Sequence, residues 1–213
     1  MQRAYGLEIP ETLAEVCDPR RAALLVYDMQ AGIVPRIREP DALVGRVIRV
    51  IQAARDAGVR VVYSRHQSLP NELAGVFQLR TAMAWQRLSR AEDVQAIFRP
   101  DAPAFALLPE IEPLPSEVVL DKLAMSAFVG TSLELLLRDC GIDALVVVGA
   151  VLEIGIEPTV RHACDHAFIP VVVTDACGVV DEDAGIRALD SLDYAKMSLQ
   201  TDVETLVGIW GQT

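Results

Sequence analysis

Lysine is scarce in this sequence, and long apolar runs are missing. Only Lys122 and Lys196 are lysines, and arginine supplies the other 17 of the 19 basic residues. The 30 acidic residues give a net charge of −11, which argues against nucleic acid or an anionic membrane surface as a partner. No apolar run approaches the roughly 20 residues of a transmembrane helix, so we expect no membrane span.

Several cofactor and targeting motifs are also missing. The four cysteines (Cys17, Cys140, Cys164 and Cys177) form no CxxC or CxH pair, so zinc-site spacing is absent and we expect reduced, mostly buried thiols. No glycine-rich dinucleotide motif or P-loop follows a strand. The N-terminal stretch lacks the apolar core of a signal peptide. We therefore expect a cytoplasmic protein without a cofactor or bound metal.

The chain does contain regularly spaced buried strands. It is 52% hydrophobic over 213 residues, which favours a single domain, 1–213, with residues 1–20 as a polar, irregular N-terminal arm. Apolar runs at 22–27, 59–63, 118–120, 145–148 and 171–174 alternate with helical patterns, and 197–199 is predicted as an edge strand. Alternating strands and helices predict an α/β fold, a three-layer α-β-α arrangement with a mostly parallel central sheet.

The stretch between the second and third strands has weaker periodicity. Turn residues lie near its start, and we predict a helix over 91–98. A long stretch without a clear place in the sheet is a candidate lid or specificity segment.

The segment from Leu145 to Arg161, LVVVGAVLEIGIEPTVR, is the centre of the prediction. A buried strand runs into Gly149, and Pro158 suits the first turn of a helix. Ligands of α/β proteins bind where strands turn into helices at the carboxyl edge of the sheet. Free N–H groups in such a turn favour negative charge, including a developing oxyanion.

Two ionisable residues end other strands at the same predicted edge. Asp28 follows the first strand and Lys122 follows the third, so both can meet Gly155 in one crevice. An Asp beside a Lys in a partly dry crevice is suited to acid–base work. Taken singly, Asp28 can also be a turn residue and Lys122 a solvated strand end.

These residues carry a resemblance. The segments AALLVYDMQ and LDKLAMSAFVGTSLELLLRDCGIDALVVVGAVLEIGIEPTVRHACDHAFIPVVVTDACG resemble the isochorismatase-like (cysteine) hydrolase family over roughly residues 22–205. The resemblance implies a catalytic set of Asp28, Lys122 and a cysteine at the position of Gly155, where this chain has no thiol. True isochorismatases also have glycine there. In them an Asp is thought to protonate a vinyl ether, and water captures the resulting oxocarbenium ion without a covalent intermediate.

The resemblance also implies a substrate site and a local backbone feature. A cis peptide is expected near Ala150-Val151. Glu153 replaces a histidine and either repels a dicarboxylate or has a structural role, through an Arg or backbone N–H groups. Nicotinamidase-like members bind a metal, but here His66 has no nearby acid, and the i, i+4 pair His162 and His166 is more typical of a solvated face or an interface. The predicted substrate-binding residues are Gln30, His66, Arg80, Trp85, Val151, Leu152, Glu153 and Ile154.

The leading hypothesis is therefore a hydrolase without a cysteine nucleophile, in which Asp28 acts as general acid or base on a small vinyl ether or similarly acid-activated substrate. The alternatives are a binding or scaffold protein of the same fold, and an amidase that uses water activated by Asp28 or Glu153. The resemblance implies a homo-oligomer, a dimer or tetramer, with a small molecule as the other partner.

Overall fold

A computed structural model describes residues 1–212 and contains a six-stranded parallel sheet with helices on both faces. In chain order the strands are β1 (Gln2–Ala4), β2 (Leu7–Ile9), β3 (Ala22–Tyr27), β4 (Arg60–His66), β5 (Val118–Lys122), β6 (Ala144–Ala150), β7 (Ile169–Gly178) and β8 (Leu199–Thr201). The helices are α1 (Leu13–Val16), α2 (Pro40–Asp56), α3 (Val76–Gln86), α4 (Leu133–Asp139), α5 (Glu157–Asp165), α6 (Glu182–Tyr194) and α7 (Val203–Trp210). The predicted three-layer α/β class is confirmed.

The strand order of the main sheet is β5-β4-β3-β6-β7-β8, and every neighbouring pair is parallel. The chain moves outward from β3 to β5, then returns to β6 on the other side of β3. The order therefore reverses between β3 and β6, which is where open α/β sheets bind ligands.

Strand β3 is buried on both faces because its side chains alternate between two apolar cores. Leu24 and Val26 pack with α2 and α7, whereas Leu25 and Tyr27 pack with α4 and α5. A strand buried on both sides reads as a continuous apolar run, which is why its position was predictable.

Two details differ from the sequence-based prediction. Residues 91–98 contain only a 3₁₀ turn, Ala91–Asp93, and the helix of this region is α3, Val76–Gln86. Helix α3 lacks a buried apolar stripe: none of its residues is buried, and Phe77 and Trp85 are 75% and 52% exposed. The N-terminal arm is not irregular, since it contains the β1–β2 hairpin and α1.

No helix within residues 1–212 is both long enough and apolar enough to cross a bilayer.

Candidate active site

Asp28 and Lys122 meet at the carboxyl edge of the sheet. Lys122 Nζ donates to Asp28 Oδ2 at 2.7 Å, and Ser64 Oγ donates to Asp28 Oδ1 at 2.6 Å. Asp28 takes a left-handed φ of 45°, which Asp tolerates better than most residues. Its amide also donates to the Ser64 carbonyl at 3.1 Å. The bonds from Ser64 of β4 and Lys122 of β5 fix the carboxylate on both sides.

Lys122 is 2% exposed. It ends β5, and its side chain extends past the neighbouring strand β4 to reach Asp28, which follows β3. Burial lowers the pKa of its ammonium group, while the Asp28 charge and hydrogen bond oppose that shift. Its Nζ lies 4.3 Å from the centre of the Tyr27 ring and 3.3 Å from the Ala124 carbonyl. The pair is thus a buried, hydrogen-bonded route for a proton.

Gly155 lies against the phenol of Tyr27. A methyl group at position 155 would lie 2.6 Å from Tyr27 Cζ and 2.7 Å from Cε1, closer than real Cβ contacts allow. The Tyr27 hydroxyl donates to the Met125 carbonyl. Burial, followed by the Asp28 charge, raises the Tyr27 pKa well above its ordinary value, so the phenol stays protonated. The space beside Gly155 is therefore filled by a neutral hydroxyl.

The turn before α5 is a single π-helical turn, Leu152–Ile156, and the Ala150-Val151 peptide is cis, as the resemblance implied. The amides of Gly155 and Ile156 donate to the Val151 carbonyl at 2.9 and 3.1 Å, and the amide of Ile154 does so at 3.4 Å. These three N–H groups are consequently not free for an oxyanion, contrary to the expectation from sequence.

Two adjoining cavities open at this edge. The first, which we call the Asp28 cavity, has a volume of about 220 Å³ and is bordered by Tyr27, Asp28 and Gly155. The second, the α3 cavity, has a volume of about 360 Å³ and lies beneath α3. Both are lined by Arg36, His66, Trp85, Phe98 and Met125, so they adjoin along these five side chains.

His66 stands between the two cavities. Burial lowers its pKa from 6.5 to about 4, with a smaller contribution from the Lys122 charge, and the Asp28 charge opposes the shift. The imidazole is therefore neutral at physiological pH. Its Nδ1 atom is buried and has no hydrogen-bond partner within residues 1–212.

The remaining predicted substrate contacts fall into two groups. Trp85, Val151 and Ile154 line the Asp28 cavity. Gln30, Arg80, Leu152 and Glu153 border neither cavity.

The contacts or the exposure of these four side chains explain why they do not line the cavities. Gln30 is fully buried and pairs with the His66 backbone in both directions, at 3.0 and 2.6 Å. Leu152 belongs to the core beneath the sheet. Glu153 Oε1 accepts from the amides of Val180 and Asp181, both at 2.9 Å. Arg80 is on the exposed side of α3.

Sequence reasoning missed several residues of the site, namely Tyr27, Arg36, Ser64, Phe98 and Met125. A signal existed for Tyr27, which is a large aromatic residue directly before Asp28 at the end of an aliphatic run. A signal also existed for Ser64, because it directly follows the apolar run predicted as a strand at 59–63. Arg36 lies in a loop and gave none.

Metal ligands do not cluster in the described part of the chain, where no group of three or more His, Cys, Asp or Glu side chains is suited to hold an ion. The rings of His162 and His166 stack with centres 4.7 Å apart. Their Nδ1 atoms instead face Ser126 Oγ at 3.0 Å and Glu134 Oε1 at 3.1 Å.

Comparison with known proteins identifies relatives of this chain. The chain is 28% identical over 201 residues to the isochorismatase family protein YecD of Escherichia coli O157:H7, covering 88% of this chain and 95% of that protein. It is 28% identical over 183 residues to the ureidoacrylate amidohydrolase RutB of Methylorubrum extorquens, covering 78% and 73%. A crystal structure of a cysteine hydrolase from Pseudomonas syringae pv. phaseolicola 1448A superposes with a TM-score of 0.75 at 22% identity, covering 91% of this chain and 94% of that one.

The match also extends to a family model. The isochorismatase domain model covers residues 22–204, from the first residue of β3 into α7. That range contains both strand ends that carry Asp28 and Lys122, and the turn that carries Gly155. The chain therefore belongs to the isochorismatase family of hydrolases.

Proposed function

We propose that this protein hydrolyses a small vinyl ether, or a similarly acid-activated bond, without a covalent enzyme intermediate. One observation carries the proposal. The Asp28 carboxylate borders a cavity of about 220 Å³ while a buried ammonium group bonds it from behind at 2.7 Å. A carboxyl group between a cavity and an ammonium group can transfer a proton from Lys122 to a bound substrate and later return a proton to Lys122.

The proposed reaction needs only water as co-substrate. Lys122 transfers its proton to Asp28, and Asp28 adds that proton to the terminal carbon of the C=C bond, which leaves an oxocarbenium ion at the ether carbon. Water adds to that carbon and gives up a proton to Asp28, forming a hemiketal. Collapse of the hemiketal moves its hydroxyl proton to the ether oxygen, breaks the C–O bond, releases the alcohol and leaves a ketone. Asp28 returns its proton to Lys122, so the ion pair ends as it began.

Three features argue against a covalent intermediate and against amide hydrolysis at this site. Glycine has no nucleophile, and the Tyr27 phenol fills the space that a larger residue would need. The amides of Ile154, Gly155 and Ile156 are turned to the Val151 carbonyl. Among residues 1–212, no cysteine borders the Asp28 cavity. A tetrahedral oxyanion, which amide hydrolysis must stabilise, finds few free donors in this turn.

The position of Glu153 weakens an objection to an anionic substrate. A free carboxylate in the turn would repel such a molecule, but Glu153 Oε1 is bound to the first amides before α6. Glu153 borders neither cavity, so it is also poorly placed to activate water there.

The second candidate is an amidase that uses activated water. The relative RutB favours it, because that protein is named an ureidoacrylate amidohydrolase. The third is a binding protein that has lost catalysis, which the filled space at Gly155 favours. All three candidates use the Asp28 cavity and differ only in what happens there.

The test compares isochorismate, whose vinyl ether yields pyruvate, with ureidoacrylate, whose amide yields ammonia. We expect pyruvate from the wild type at high enzyme concentration, with a high KM, because isochorismate has two carboxylates and Arg36 is the only Lys or Arg among the described residues that line the Asp28 cavity. We expect Asp28→Asn to lower kcat by about 100-fold or more, because a positioned acid contributes about 10²–10⁴. Asp121→Asn is the matched control, since Asp121 is a neighbouring carboxylate that pairs with Arg65 at 2.8 Å.

Three results would contradict the proposal. Ammonia release from ureidoacrylate with no pyruvate from isochorismate supports the amidase. Equal kcat for Asp28→Asn and Asp121→Asn removes Asp28 from the reaction. Saturable binding of isochorismate without turnover, at high enzyme concentration, supports the binding protein.

A further inference from the structure

The α3 cavity is large, adjoins the proposed reaction centre and has no role in the chemistry above. Its volume of about 360 Å³ falls within the range of about 300–1,000 Å³ that holds drug-sized ligands. Apolar side chains dominate its wall, including Leu79, Trp85, Ile97 and Phe98. A cavity of this composition favours an apolar or aromatic group over water.

Charge in this wall is confined to one residue. Arg36 is the only Asp, Glu, Lys or Arg among the described residues that line the α3 cavity, and it also lines the Asp28 cavity. It ends a 3₁₀ turn, Val34–Arg36, that follows the loop after Asp28.

The guanidinium group of Arg36 also lacks a partner. Among residues 1–212 its side chain makes neither an ion pair nor a hydrogen bond, whereas nearby Arg38 pairs with Glu182. In a chain with a net charge of −11, an unpaired cation where two cavities adjoin is a ready anion-binding group.

We infer that the substrate is a monoanion with a bulky apolar or aromatic group. The aromatic group occupies the α3 cavity, the single negative charge pairs with Arg36, and the reacting bond lies at Asp28. This inference rests on the proposed function for the position of the reacting bond. It deepens that function, because it gives the substrate one negative charge and a large apolar part.

Two further observations fit a single anionic group. The neutral imidazole of His66 offers a hydrogen bond at the same junction but no second positive charge, because burial lowers its pKa to about 4. Arg36 is also the only Lys or Arg among the described residues that line the Asp28 cavity, so a second anionic group would find no cation of its own there.

The experiment measures binding alone, with two probes that differ only in charge. 1-Naphthoate is a bicyclic aromatic anion, and 1-naphthamide is its neutral counterpart of nearly the same shape. Calorimetric titration of the full chain should give tighter binding of the naphthoate. Arg36 is exposed, so Arg36→Gln should weaken naphthoate binding by about threefold to fivefold, which corresponds to the roughly 1 kcal/mol of an ion pair at an exposed site, and should leave the affinity for naphthamide unchanged.

Arg80→Gln is the matched control, because Arg80 lies on α3 but outside both cavities. It should leave the affinity for both probes unchanged. Ala82→Phe narrows the α3 cavity, which Ala82 lines, and should weaken both probes alike. Equal affinity of the wild type for the two probes, or equal effects of Arg36→Gln and Arg80→Gln, would overturn the inference.

Asp28→Asn separates this inference from the proposed function. Naphthoate binding that depends on Arg36, together with full turnover by Asp28→Asn, overturns the proposed chemistry and leaves the binding site standing. Loss of turnover in Asp28→Asn, together with naphthoate binding that is unchanged by Arg36→Gln, supports the proposed chemistry and overturns the proposed binding site.

Discussion

The phenol of Tyr27 determines which residue can stand at position 155. Two of its ring carbons lie 2.6 and 2.7 Å from where a Cβ would be, and the ring is buried in the apolar layer that contains α4 and α5. Glycine at 155 and tyrosine at 27 are thus a matched pair. Restoring a thiol requires changing both residues.

We therefore expect Gly155→Cys alone to lower the free energy of unfolding by about 1–3 kcal/mol, the usual cost of overpacking, and to give no amidase turnover. Tyr27→Val should relieve the clash, so the double variant should be more stable than the sum of the single changes predicts. Urea unfolding of the four proteins measures this coupling.

Gly208→Cys is the control, because nothing lies within 4 Å of a Cβ at that position. Gly208→Cys should change the free energy of unfolding little. Additive effects of the changes at 27 and 155 would show that the two positions are independent.

His66 predicts a dependence of stability on pH. The pKa of its side chain is about 4 in the folded protein and near 6.5 when unfolded. Between these values the unfolded chain binds a proton that the folded chain does not, so stability falls as the pH drops from 6.5 to 4. The loss is at most about 3 kcal/mol over that window.

Comparing the wild type with His66→Gln isolates this contribution. The difference in free energy of unfolding between the two should change with pH only within that window, and in that direction. Parallel curves for the two proteins from pH 4 to 7 would mean that His66 is not buried as described.

At the scale of elements, the end of β6 is shaped by a close approach to β3. Gly149 has φ of +120°, and a Cβ there would lie 2.8 Å from the Tyr27 amide nitrogen. The pairing of β6 with β7 also shifts register between Val147 and Gly149. This irregularity brings the turn with Gly155 next to Asp28.

Gly149→Ala should therefore destabilise the protein by more than about 2 kcal/mol, because backbone strain and a main-chain clash add. Gly45→Ala is the opposite case. Gly45 lies within α2 with open space around it, so alanine should stabilise by about 0.5–1 kcal/mol. Thermal unfolding of the two variants measures the contrast, and equal shifts would contradict this account of Gly149.

For the whole molecule, the central sheet lies between two apolar layers and contributes side chains to both. Leu137 of α4 lies in one layer, and Trp210 of α7 lies in the other, where its indole donates to the Cys17 carbonyl at 3.0 Å. Because β3 contributes side chains to both layers, loss of packing in one layer should also unfold the other layer.

We expect Leu137→Ala to lower the free energy of unfolding by about 2–5 kcal/mol. In a Trp85→Phe background, Trp210 is the only remaining tryptophan and reports on the far layer. Its fluorescence transition should shift together with the circular dichroism of the helices. Separate transitions would show that the two layers unfold independently.

Prediction from the sequence was sufficient where a residue's position follows from its place along a strand. Asp28 and Lys122 each follow a buried apolar run, and parallel strands bring such ends to one edge, where the two side chains meet. The sequence did not indicate that Gln30 and Arg80 border neither cavity, because that depends on which way each side chain turns. The prediction also misplaced the helix of residues 67–98, because α3 lacks an apolar stripe facing a single core.

The sequence by itself determined the α/β class, the family and the meeting of Asp28, Lys122 and Gly155, since strand periodicity and order along the chain suffice for these. Only the tertiary structure decided that Tyr27 fills the space at Gly155, that Glu153 bonds the start of α6, and that Arg36 stands between two cavities. These depend on contacts between segments far apart in the chain, whose distances and directions no local pattern encodes.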